Sequence, residues 1–79
     1  MTRRTELADA VRRSIERYFK DLDGERPTAI YDMVLHNVEK ALIETVLARA
    51  AGNQSQAAAM LGIDRNTLRK KIRRLRIRT

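Results

Sequence analysis

Between residues 29 and 51 the chain sets apolar side chains on nearly every side of one helical stretch: Ile30, Tyr31, Met33, Val34, Leu35, Val38, Ala41, Leu42, Ile43, Val46, Leu47 and Ala50. A surface helix of a globular domain needs one apolar stripe, and a helix that is apolar nearly all round is buried on several sides. In a chain of 79 residues little else is left to bury it. A domain of this size removes only roughly 60–65% of its unfolded surface from water and usually needs a staple. There is no Cys, which excludes disulfides. One His, His36, without Cys excludes a thiolate or imidazole zinc site as well. That favours a homodimer in which two copies of this helix, and of the first, pack together, the alternative being a tight monomeric bundle with some exposed apolar surface.

Three further helices are expected around it, and no strands. Three Gly and one Pro leave little room for tight hairpins, so the class is all-α. Leu7, Val11, Ile15, Tyr18, Phe19 and Leu22 step by threes and fours and make one stripe on a first helix. Asp23-Gly24-Glu25-Arg26-Pro27 stops that helix, and Thr28 is placed to cap the next. Gly52 ends the long helix. Asn53 caps a short third one, about 54 to 61, with Ala57, Ala58, Met60 and Leu61 as its apolar residues. After the Gly62 break, Ile63 turns back to the core and Asp64 caps a fourth helix, 65 to about 75, with Leu68, Ile72 and Leu75 on one side. The chain reads as a single domain, 1–79. Residues about 5–51 are dimerisation helices, and Leu7, Val11, Ile15, Tyr18, Phe19, Ile30, Val34, Val38 and Leu42 are the expected interface.

The net charge of +7 is unevenly placed. Residues 1–52 hold nine basic and nine acidic side chains, whereas residues 53–79 hold eight basic ones and a single acid, Asp64. A neutral body with a basic end suits a scaffold carrying a module for a polyanion. No run approaches 18 apolar residues, so no membrane-spanning helix is expected. MTRRTELADAVRR lacks the apolar run of a secretory signal. No cofactor, metal or small-molecule ligand is implied, and no membrane partner. Asp21 and Asp23 lie at a helix end without a His or Ser beside them, and His36 stands alone, so no catalytic constellation is present.

NQSQAAAMLGIDRNTLRKKIRRL, within about 53–76, reads as a helix-turn-helix. Ala57 and Ala58 are small enough for the second helix to approach closely. Gly62 suits a turn that needs a positive φ. Ile63 and Leu68 pin the turn to the core. The outer face of the last helix then presents Arg65, Asn66, Thr67, Arg69, Lys70 and Arg73, and such a helix fits the major groove of duplex DNA with its first residues at the base edges. Arg65 is placed for a bidentate contact to guanine. Thr67, Arg69, Lys70 and Lys71 suit phosphates. Gln54 and Ser55 open the third helix, where free N–H groups favour a phosphate. Asp64 caps first, and as a carboxylate it can also accept from cytosine. Arg73, Arg74, Arg76 and Arg78 reach flanking backbone if the duplex curves toward them. A basic module for a membrane or an acidic protein is the contrasting expectation, and the fourth helix lacks the aromatic anchor that it would want.

GNQSQAAAMLGIDRNTLRKKI resembles the Fis family (factor for inversion stimulation), small bacterial DNA-bending proteins. The resemblance continues upstream through RRSIERYFKDLDGERPTAIYDMVLHNVEKALIETVLARAAGNQ and covers about residues 10–75. The helix-turn-helix block is also similar to the C-terminal domains of NtrC-type transcription activators. The upstream helices favour Fis. The resemblance implies an intertwined homodimer, four helices per subunit, in the bacterial cytoplasm at the nucleoid. It implies a duplex bent to meet two recognition helices and a role in transcription regulation. Arg65 matches the guanine-contacting arginine. Asn53, Gln54, Ser55, Thr67, Arg69, Lys70 and Lys71 match backbone-contacting or capping positions. Asp64 stands where the family has Asn, and Gln56, also an expected DNA-binding residue, stands where it has Arg. The family's N-terminal β-hairpin arms, which contact recombinases, have no counterpart in the short stretch before the first helix, so stimulation of DNA inversion is not expected.

Overall fold

The computed structural model describes residues 3–79, with side-chain environments from Thr5 onward. Four helices follow one another: α1 (Arg3–Leu22), α2 (Ile30–Arg49), α3 (Gln54–Leu61) and α4 (Arg65–Arg74), with no strand among the described residues. The chain divides at Ile30 and Tyr31 into two units.

The first unit is α1 and the turn after it. Its apolar stripe forms as the spacing requires, with Tyr18 and Phe19 in edge-to-face contact at 6.0 Å. Glu6 in the first turn and Lys20 in the last suit the helix dipole. No side chain between Thr5 and Ile30 is fully buried, and Leu7 and Phe19 are exposed. Asp23 and Gly24, both at positive φ, end the helix, and the Glu25 amide donates to the Leu22 carbonyl at 3.0 Å.

The second unit holds the core. Ile43 and Leu47 come from one face of α2 and Ala50 from the turn just after it, Ala57 and Ala58 from α3, and Leu68 and Ile72 from α4, followed by Leu75 and Ile77. Val46, Leu61 and Ile63 pack against this cluster. Leu68 is 0% exposed. Ala57 and Ala58 are buried where α3 meets α4, the role their size suggests.

The last three helices end in the same hydrogen-bonded reversal, in which an amide reaches back to a carbonyl five residues earlier while the amide before it reaches back three. Gly52 and Ala51 donate to Leu47 and Ala48 after α2, Ile63 and Gly62 to Ala58 and Ala59 after α3, and Ile77 and Arg76 to Ile72 and Arg73 after α4. The residue that turns left-handed is Gly62 (φ 76) once, but Ala51 (φ 54) and Arg76 (φ 55) in the other two. An L-residue there carries roughly 1 kcal/mol of strain that Gly avoids. Ala51→Gly is therefore expected to stabilise the protein by about 0.5–1 kcal/mol and to raise Tm by several degrees, read by thermal unfolding.

Two boundaries differ from expectation. The long helix begins at Ile30, because Ala29 takes a positive φ of 52 and puts Thr28 one residue too early to cap it. It ends at Arg49, two residues early, where the Ala51 reversal takes over. Met60, counted among the apolar residues of α3, is 51% exposed, since the core side of that short helix is filled by Ala57, Ala58 and Leu61.

Candidate nucleic-acid interface

The interface is built on α3, the turn at Gly62 and α4. Both helix starts are fixed by side-chain caps. The Asn53 Oδ1 accepts from the Gln56 amide at 3.0 Å, and Asp64 Oδ2 accepts from the Asn66 amide at 2.9 Å. Asp64 thus stabilises the first turn of α4, as a carboxylate at a dipole's positive end does. Gln54 is half-buried and Ser55 and Gln56 are exposed at the start of α3.

With Leu68 and Ile72 buried, the rest of α4 faces outward. Arg65, Asn66, Thr67, Arg69, Lys70, Arg73 and Arg74 are exposed. The Arg65 guanidinium donates to Ser55 Oγ at 3.2 Å, so the two helix starts are tied together across ten residues of sequence. Arg69, Lys70 and Arg73 make no ion pair among the described residues. This leaves a row of free cations on one surface, the arrangement that neutralises phosphates.

Lys71 and Arg74 are differently placed. Lys71 Nζ lies 2.5 Å and Arg74 Nη2 2.6 Å from the two carboxylate oxygens of Glu39 on α2. The hydrogen bond from Lys71, aided by the charges of Lys71 and Arg74, holds the Glu39 carboxyl below its ordinary range against the opposing effect of burial. A value lower in the folded chain than in the unfolded one means that this contact stabilises above the ordinary carboxylate range. The contribution fades as pH falls through the lowered value.

The segment after α4 does not trail away. Ile77 is buried against Ile72's cluster, and Arg78 and Thr79 line a shallow groove with Glu44, Leu47, Ala48 and Gly52 of the α2 end. Arg76 is exposed at the reversal itself. Ile77 was invisible as an anchor in the sequence because it stands alone between arginines, outside any helical period.

Along α2, Tyr31, Leu35, Val38 and Leu42 are all exposed, Tyr31 at 75% and Leu42 at 51%. Their steps of four, three and four make one continuous apolar row, the spacing of a helix-pairing seam. Of the residues expected at a dimer interface, Val38 and Leu42 lie on this row, while Ile30 and Val34 are half-buried. Tyr31 and Leu35 join it because they fall on the same face. Among the described residues no helix is long and apolar enough to cross a membrane.

The family model for bacterial regulatory proteins of the Fis family matches residues 34–75. Two relatives from Neisseria meningitidis, of serogroups A and B, are 52% identical over 67 residues, covering 85% of this chain and 85% of theirs. A relative from Ralstonia nicotianae is 52% identical over 69 residues, covering 87% of this chain and 90% of its own. All three are described by name as Fis-like and DNA-binding.

Proposed function

The chain belongs to the Fis family of bacterial regulatory proteins, and from that premise we propose that it is a homodimeric duplex-DNA-binding protein that bends its site. It acts as a sequence-tolerant transcription regulator at the nucleoid in the bacterial cytoplasm. The observation that carries this reading is the outer face of α4, where Arg65, Arg69, Lys70 and Arg73 stand exposed on a helix whose other side is locked into the core. The exposed row Tyr31, Leu35, Val38 and Leu42 supports the dimer, since apolar side chains at this spacing gain most by meeting a copy of themselves. Each copy would bring a basic segment of +7. Two such segments on one symmetric body favour a duplex curved toward both, with much of the selectivity residing in how readily a sequence bends. The Neisseria and Ralstonia relatives are matched over 85% to 90% of their own length, which favours this small regulator over a domain of an NtrC-type activator.

The roles follow from position. Arg65 at the first turn of α4 reads a guanine edge. Asn66, Thr67, Arg69, Lys70 and Arg73 contact bases or phosphates, and Ser55, Gln54 and Gln56 meet phosphate at the α3 start. Titration of short duplexes at several salt concentrations, with hydrodynamic mass measured alongside, tests the whole reading. It predicts a dimer and a log–log salt slope of about −0.9 per neutralised phosphate. A monomer, or a slope near zero, overturns it. Arg65→Ala is expected to cost about 1–3 kcal/mol on a duplex selected from a random pool and to relax preference at one position. A binding-site selection on the variant that returns the wild-type preference removes Arg65 from base reading.

A further inference from the structure

Glu39 belongs to the charge-neutral part of the sequence, 32 residues before Lys71, yet its carboxylate is shared between two cations of α4. Thr67, Lys71 and Arg74 lie at helical spacings of four and three and form one edge of that helix. Arg65, Arg69 and Arg73, at spacings of four, form the opposite edge, and among the described residues none of them pairs with an acid. The two edges therefore differ in what their cations are free to do. α4 is ten residues long and packs on a narrow row, Leu68 and Ile72 with Leu75 just after its end, which lies between the two edges. A half-buried carboxylate receiving two charge-assisted hydrogen bonds on one of those edges adds an angular restraint to that packing. Asp32, His36 and Leu35 line the same groove on the α2 side. An acid beside a surface for a polyanion would by itself repel the ligand, so its presence there calls for a role other than binding.

We propose that Glu39 is the positioning residue of the DNA interface: through Lys71 and Arg74 it sets the rotation of α4, and those two cations orient the helix in place of neutralising phosphates. This rests on the DNA-binding reading above. The pair converts a charge on the body of the protein into angular definition of the Arg65, Arg69 and Arg73 edge. Loosening it costs selectivity before it costs affinity.

The test compares full-length wild type with Glu39→Gln and Lys71→Met. The probes are a duplex enriched from a random-sequence pool by the wild type and a poly(dI-dC) duplex, at several salt concentrations. Far-UV circular dichroism checks that each variant is folded. For Glu39→Gln the ratio of the two affinities should fall about tenfold, the scale of one lost base-pair preference. Its binding to poly(dI-dC) should hold or rise, with a steeper salt slope from the released cations. Lys71→Met should lose discrimination similarly with an unchanged salt slope. A slope shallower by about 0.9 in Lys71→Met would mean that Lys71 already neutralises a phosphate, and overturns the proposal. So does a Glu39→Gln protein that gains affinity equally on both duplexes, which is simple repulsion relieved, or one that melts earlier with its discrimination intact. Wild-type protein that binds neither duplex defeats the DNA-binding reading itself. Wild-type protein that binds, with Glu39→Gln unchanged in its discrimination, defeats only the positioning role.

Discussion

Leu68→Ala should remove about 3–4 kcal/mol of stability, the largest effect expected of any single truncation in this chain. Leu68 is fully buried and sits among residues from α2, α3 and α4, so no one helix can close the space it leaves. Small domains of this kind hold only a few kcal/mol in reserve. The loss corresponds to a fall in Tm of roughly 15–25 °C, or to no cooperative transition at all. Met60→Ala, in the same helix-turn-helix but at an exposed site, should stay within about 0.5 kcal/mol of wild type. Thermal unfolding followed at 222 nm distinguishes the two. Comparable losses for both variants would mean that the core is not centred where the buried residues put it.

Val38→Lys should break the proposed dimer. Val38 lies in the exposed row on α2 and is 42% exposed in the single chain, so the substitution costs the protomer little, and Lys is the better helix former. In a two-fold pairing the change occurs twice. Each copy loses the burial of a branched side chain, roughly 2 kcal/mol, and must also keep an ammonium out of an apolar seam. A total above about 4 kcal/mol raises the dimer Kd at least a thousandfold, which sedimentation velocity measures directly. Affinity for a long duplex should fall together with the dimer even though the variant carries more positive charge. That direction cannot come from electrostatics. An unchanged sedimentation coefficient would remove this row from the interface.

The legibility of this chain in its sequence was governed by range. α3 begins and ends where Asn53, Gln54, Leu61 and Gly62 predict, because an N-cap, an alanine pair and a glycine reversal are all decided within one or two turns. Asp64 as the cap of α4 follows the same rule. The start of α2 departs from the same kind of local rule. Thr28 is a good capping residue, but Ala29 takes a positive φ between it and the first helical residue, so Thr28 stands one residue too early to cap. Ile77 was hidden because the residue that turns the chain before it is an arginine, where a glycine would have announced the reversal. The Glu39 contact was hidden more deeply. Lys71 and Arg74 read naturally as two more phosphate contacts. Only the crossing of α2 and α4, a relation between residues 32 and 35 positions apart, shows that both are already occupied. Charge counting points to this surface but does not reveal that two of its cations are paired with an acid of α2.

Every fully buried side chain among the described residues lies between Ile43 and Ile77. Such a core closes over neighbours near in sequence, so it can form quickly and without a partner. During synthesis, however, it leaves the ribosome after the helices that precede it. α1 and the first half of α2 emerge earlier with no buried centre of their own. Ordering therefore runs against the direction of translation: the helix-turn-helix end becomes solid first, and the helices made earlier order after it.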